Sequence, residues 1–90
     1  MNSGDSMDEM VIHLWDWALD DESAWQALTG DAMTHREYQT VIAGVQADQE
    51  QQGRTVNRVR MTVAEMKAEL SARGLPNDPV GRATVIASRG

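Results

Sequence analysis

The chain has no cysteine and no phenylalanine. Without cysteine there is neither a disulfide framework nor a thiolate nucleophile, so small cross-linked folds and cysteine chemistry are both excluded. Without phenylalanine, aromatic bulk falls to Trp15, Trp17, Trp25 and Tyr38, with six methionines as adaptable filler. Strictly apolar stretches such as Met10-Val11-Ile12 are three residues long, far short of the about 20 that cross a bilayer as a helix. The opening MNSGDSMDEM is polar and acidic, unlike a signal peptide. The expectation is a soluble cytoplasmic protein with no membrane partner.

Catalytic patterns are missing too. The serines lack a G-x-S-x-G elbow, and neither glycine-rich phosphate loop occurs. No carboxylate sits in a visibly apolar setting save Asp16, between Trp15 and Trp17, and on a helix those indoles point away from it. Glu9, His13, Asp16 and Asp20 are spaced four, three and four, which on a helix forms one polar stripe. A histidine with carboxylates can hold a divalent metal, yet the plainer reading is a solvated face, since His35 is the only other histidine. The residues point to a binding protein, not an enzyme, with no cofactor and no metal.

Ninety residues make one domain, burying roughly 60–65% of the surface its unfolded chain exposes. Its net charge of −6 is unevenly divided. Residues 1–53 carry eleven acids and one base, giving −10; residues 54–90 carry seven bases and three acids, giving +4. An acidic helical half therefore precedes a basic helix–loop–helix half. The division suggests separate contact surfaces, although complementary packing of the halves, or solubility alone, would also account for it.

In chain order, Asp5 or Ser6 can cap a first helix with Asp8 and Glu9 in its opening turn. Its apolar arc, from Met10 to Leu19 and including Trp15 and Trp17, is wider than one neighbouring helix covers. Either this helix is central, or part of it binds another chain, including a second copy. Asp21 can cap a short helix with Trp25 and Leu28, ended by Gly30. Thr34 and Glu37 form a capping box opening a helix with Tyr38, Val41, Ile42 and Val45 on one stripe. That stripe continues as Gln49 and Gln52, so the helix is expected to project into solvent over Gln46–Gln52. Arg54–Met61 reads two ways: as a strand with Arg58 and Arg60 outward, paired with Ala83–Ala87, or as a helical seam. Thr62 and Glu65 form a second capping box, opening a helix from Val63 to about Arg73 with Gly74 as its stop. Asn77 or Asp78 can cap a further helix starting at Pro79. The expected fold is mainly α, a small single domain, with a short strand or strand pair in the C-terminal half as the alternative.

The run TVAEMKAELSARGLP, followed by Gly81-Arg82-Ala83 and Val85-Ile86, resembles the SAP-type motif: a helix, an "RGL" turn and a Gly–basic–Ala start to a second helix. SAP motifs bind DNA, mostly without strong sequence preference. The resemblance covers about a third of the chain and implies contacts from Lys67, Arg73, Arg82 and Arg89. The loop Pro76–Val80 is longer than that pattern, and the second helix lacks its Leu–acid pair. Two functions follow. In one, Arg58, Arg60, Lys67, Arg73, Arg82 and Arg89 contact phosphates of a nucleic acid, weakly and non-specifically. In the other, the protein is an acidic interaction module or inhibitor, phage-like by analogy. It docks on a larger protein, itself nucleic-acid-processing in the sharper form, through Trp15, Asp16, Trp17, Asp20 and Trp25.

Overall fold

The computed structural model describes residues 10–90. The chain folds around two parallel strands, β1 (Val11–Trp15) and β2 (Thr55–Val59), in register Val11 with Thr55 through Trp15 with Val59. Hydrogen bonds from Thr55 N to Met10 O and from Asp16 N to Val59 O extend the ladder at its two ends. Parallel strands need a long crossover. It consists here of a 3₁₀ turn (Leu19–Asp21), α1 (Glu22–Thr29) and α2 (His35–Gln51). After β2 come α3 (Val63–Arg73) and α4 (Pro79–Arg89). The protein is thus mainly helical, with one strand pair.

Three expectations need correction. The apolar stretch over Met10–Leu19 is not a helix: Val11–Trp15 is a strand, and the helix's expected first turn lies outside the described residues. Arg54–Met61 does contain a strand, but its partner is β1. Ala83–Ala87 lies inside α4 instead. The reason is burial on both sides. Odd-numbered residues of β1 face α3 and α4, and even-numbered ones face α2. A strand covered on both faces loses the apolar–polar alternation by which it would be recognised.

The local starts and stops follow the sequence closely. Both capping boxes form, Thr34 with Glu37 and Thr62 with Glu65. Asp78 caps α4 through Gly81 N at 2.7 Å, with Pro79 in the first turn. Gly30 and Gly74 end α1 and α3 with φ of 76° and 64°, conformations that cost a glycine little. Gly81 is buried, and a Cβ there would collide with the Pro76 carbonyl of the loop. Two acids of the Asp20-Asp21-Glu22 run act at a distance. The Asp21 carboxylate accepts Val63 N–H at 2.9 Å, at the start of α3, and Glu22 accepts His35 N–H at 2.5 Å, at the start of α2.

The core lies on the odd face. Trp15, Trp17 and Trp25 pack there with Val59, Met61, Met66 and Val85, so both halves contribute to it. Trp17 stacks on Trp25 at 4.6 Å between ring centres and meets Tyr38 at 4.9 Å. The Trp15 indole N–H donates to Met61 O at 2.8 Å. On the opposite face, α2 lies over β2 and buries Ile42. No helix among the described residues is long and apolar enough to cross a membrane.

Candidate functional site

The expected basic contacts do not form one surface. Arg58 is not outward. It turns beneath α2, donating from Nε to Gln46 Oε1 at 2.7 Å and from Nη1 to Gln39 Oε1 at 3.3 Å. Arg54 similarly donates to Gln49 at 2.9 Å. Gln46 and Gln49 therefore do not project into solvent as the stripe suggested; they pair α2 with Arg58 of β2 and with Arg54 just before it. Arg60 is exposed, and its nearest acid is Asp16 at 3.9 Å. In the α3–α4 hairpin, Arg73 pairs with Glu69 at 2.9 Å, while Arg89 reaches Glu65 at 3.3 Å and Glu69 at 3.8 Å. Arg82 donates to Asn77. Lys67 is exposed, with no ion pair among the described residues. Over residues 63–89, four bases (Lys67, Arg73, Arg82, Arg89) against three acids (Glu65, Glu69, Asp78) leave +1.

The first half is the reverse. Eight of its acids lie within the described residues: Asp16, Asp20, Asp21, Glu22, Asp31, Glu37, Asp48 and Glu50. Among the described residues only Asp16 has a cation within ion-pair distance. Asp20, Asp31, Asp48 and Glu50 are exposed, and so is Leu19 beside Asp20. Of the residues expected at a protein interface, Trp15, Trp17 and Trp25 are buried in the core and present no indole to a partner. Asp16 is half-buried and accepts from Gln39 Nε2 at 2.7 Å. Asp20 alone of that group faces solvent freely.

The polar stripe read across Glu9, His13, Asp16 and Asp20 is not a stripe on a strand, where odd and even residues take opposite faces. His13 lies on the core face near Asn57, with Nδ1 3.4 Å from its amide nitrogen, and Asp16 lies on the α2 side. Glu9 is outside the described residues. The other histidine, His35, sets its ring edgewise against Trp17 at 5.2 Å.

Two features escaped the sequence reading. One is Tyr38, whose hydroxyl donates to Trp15 O at 2.6 Å. Burial, with the nearby Asp16 charge, pushes its phenol up to about 12. The other is the outer edge of β1. The ladder uses Met10, Ile12, Leu14 and Asp16 on the inner side, so the backbone groups of Val11 and His13 point away from β2. Met10 and Val11, at the start of β1, and Val41 and Val45 of α2 are exposed. A local reading could not find it, because which edge is free depends on a partner strand 44 residues away.

No group of three His, Asp or Glu residues among the described residues could hold a metal. The chain matches no protein-family model, no curated protein and no solved structure.

Proposed function

We infer that this is a small non-enzymatic binding module whose acidic first half docks on a basic surface of a larger protein. One observation carries the reading: Arg73 and Arg89 of the hairpin are occupied by its own glutamates, while Asp20, Asp31, Asp48 and Glu50 face solvent with no cation among the described residues. Long-range attraction toward a positive surface steers encounter and sets partner choice more than it adds affinity. Leu19, two-thirds exposed next to Asp20, offers an apolar contact within that acidic surface. A nucleic-acid-processing protein, whose polyanion site such a surface would mimic, is the sharper form of this reading. Replacing Asp20 and Asp31 by Lys should slow association with a captured basic partner and remove its salt dependence. Unchanged kinetics would refute the reading.

The nucleic-acid reading retains one point in its favour: Arg60 and Lys67 are exposed and poorly paired. The full chain at low salt is the right sample, because a piece beginning at Arg54 would lose β1 and the three core tryptophans. Affinity capture with and without nuclease separates the two readings. A partner retained after nuclease treatment supports protein docking, and one lost supports nucleic acid.

A further inference from the structure

We propose that two copies of this chain join through the outer edge of β1, antiparallel about Ile12, making one four-stranded sheet in the order β2–β1–β1–β2. Unpaired strand edges are templates for another strand. This edge has a limited length. Trp15 O already accepts the Tyr38 hydroxyl, so the outward groups without a partner among the described residues are the N–H and C=O of Val11 and His13 and the N–H of Trp15. A longer strand from another protein, running past Trp15, would meet Tyr38. An antiparallel copy needs no more than the edge offers. Val11 of each copy stands opposite His13 of the other, and their N–H and C=O groups form two reciprocal hydrogen bonds on each side of the dyad.

The side chains suit the same arrangement. With Ile12 on the dyad, Met10 of one copy lies opposite Leu14 of the other, so the even face across the join is wholly apolar. The exposed Val41 and Val45 lie on the stripe of α2 that follows Tyr38 towards β1, so the two helices bring these valines together. Two strands about 4.8 Å apart match the roughly 10 Å width of a helix, so each α2 covers its own strand pair and leaves no gap at the centre. Charge argues for a second copy over the basic partner proposed above. Residues 10–15 carry no Asp, Glu, Lys or Arg. A cationic protein would find nothing to read there, while two chains of net charge −6 can approach at their one uncharged strand edge.

The absence of cysteine makes a direct test. Ile12→Cys places two sulfurs across the dyad at a pair whose Cα atoms, about 4.5 Å apart, suit a disulfide. Mild oxidation should convert this variant of the full chain to a covalent dimer. Val80→Cys, an exposed position remote from β1, should not respond at the same concentration. Sedimentation equilibrium of the unmodified protein should show twice the 9.9 kDa chain mass as concentration rises. Val11→Pro removes an outward N–H without touching the ladder to β2 and should return the monomer mass with an unchanged far-UV spectrum. If that variant loses its fold, Val41→Lys, on exposed helix, should give the monomer instead. Slowed amide exchange at Val11 and His13 in the unmodified protein gives a reading free of mutation. A single monomer mass at every concentration, equal cross-linking of both cysteine variants, or a dimer that survives Val41→Lys would overturn the proposal. A monomer would leave the acidic docking surface untouched, and unchanged association after the Asp20 and Asp31 replacements would leave the dimer untouched.

Discussion

In residues 63–89 the charges, Lys67 apart, are settled locally. Glu69 holds Arg73, Glu65 and Glu69 hold Arg89, and Asp78 caps its own helix. In residues 10–53, apart from Glu37 in its capping box, the acids either reach across the fold, as Asp21 does to Val63, or face solvent. The first arrangement yields a nearly neutral hairpin with small exposed residues; the second yields an acidic surface. A count of +4 and −10 by halves therefore misleads about what a partner meets. The basic half is largely satisfied by itself, and the acidic half is left for something else.

The most severe way to break this comparison is at the joint the two halves share. Trp17 is fully buried between Trp25, Tyr38 and the hairpin's side of the core. Trp17→Ala should cost about 3–5 kcal/mol, a large part of the about 5–15 kcal/mol typical of a whole domain. Urea titration should show both halves unfolding together at a much lower midpoint.

Glycines sharpen it. Gly81→Ala drives a methyl into the Pro76 carbonyl and should cost about 1–3 kcal/mol. Gly44, exposed inside α2 with open space at its Cβ, should do the opposite. Gly44→Ala is expected to gain about 0.5–1 kcal/mol. Thermal melts of the pair should move in opposite directions.

Tyr38 adds a pH signature confined to the first half. Its phenol is raised from 10.0 to about 12. The unfolded chain ionises first, so the stabilisation is whole below pH 10 and is lost as pH climbs toward about 12. Tyr38→Phe should flatten that alkaline loss, read by chemical denaturation across the window, and the native protein should develop phenolate absorbance only near its upper end.

The smallest effect on stability is expected from the hairpin charges. Glu65 is held below the usual carboxylate range by its bonds to Thr62 and by Arg89. Glu65→Gln with Glu69→Gln keeps a capping-box residue at position 65 and removes two negative charges, so the hairpin goes from +1 to +3. Melting should shift only slightly, as exposed ion pairs contribute about 0–1 kcal/mol. Binding to DNA at low salt should rise if self-pairing is what silences these arginines.

Helix boundaries were legible because their signals are local. A threonine and a glutamate three residues apart, a glycine at a positive φ, an aspartate before a proline: each acts within one turn, and each reads correctly at Thr34, Thr62, Gly74 and Asp78. What failed was non-local. Nothing between Met10 and Leu19 names Thr55–Val59 as its neighbour, and Trp15 and Trp17 satisfy a helical arc as well as a buried strand. The glutamines of α2 looked like a solvated end because their partners, Arg54 and Arg58, arrive only with the sheet. The same distance hid the free edge of β1, which exists only once β2 has taken the other side.

The strand pairing has a consequence for how the protein is made. Trp15 donates to a carbonyl 46 residues later, so the N-terminal strand finds neither its neighbour nor its hydrogen-bond acceptor until Met61 has left the ribosome. Loop-closure entropy has to be met before such contacts give anything back. During synthesis the α1–α2 segment can form turns, but Trp15, Trp17 and Trp25 wait for the rest of their core. Residues 61–90 complete the core. Translation that stalls before Val63 would release a chain with its aromatic residues exposed, a species suited to aggregation or to capture by a chaperone.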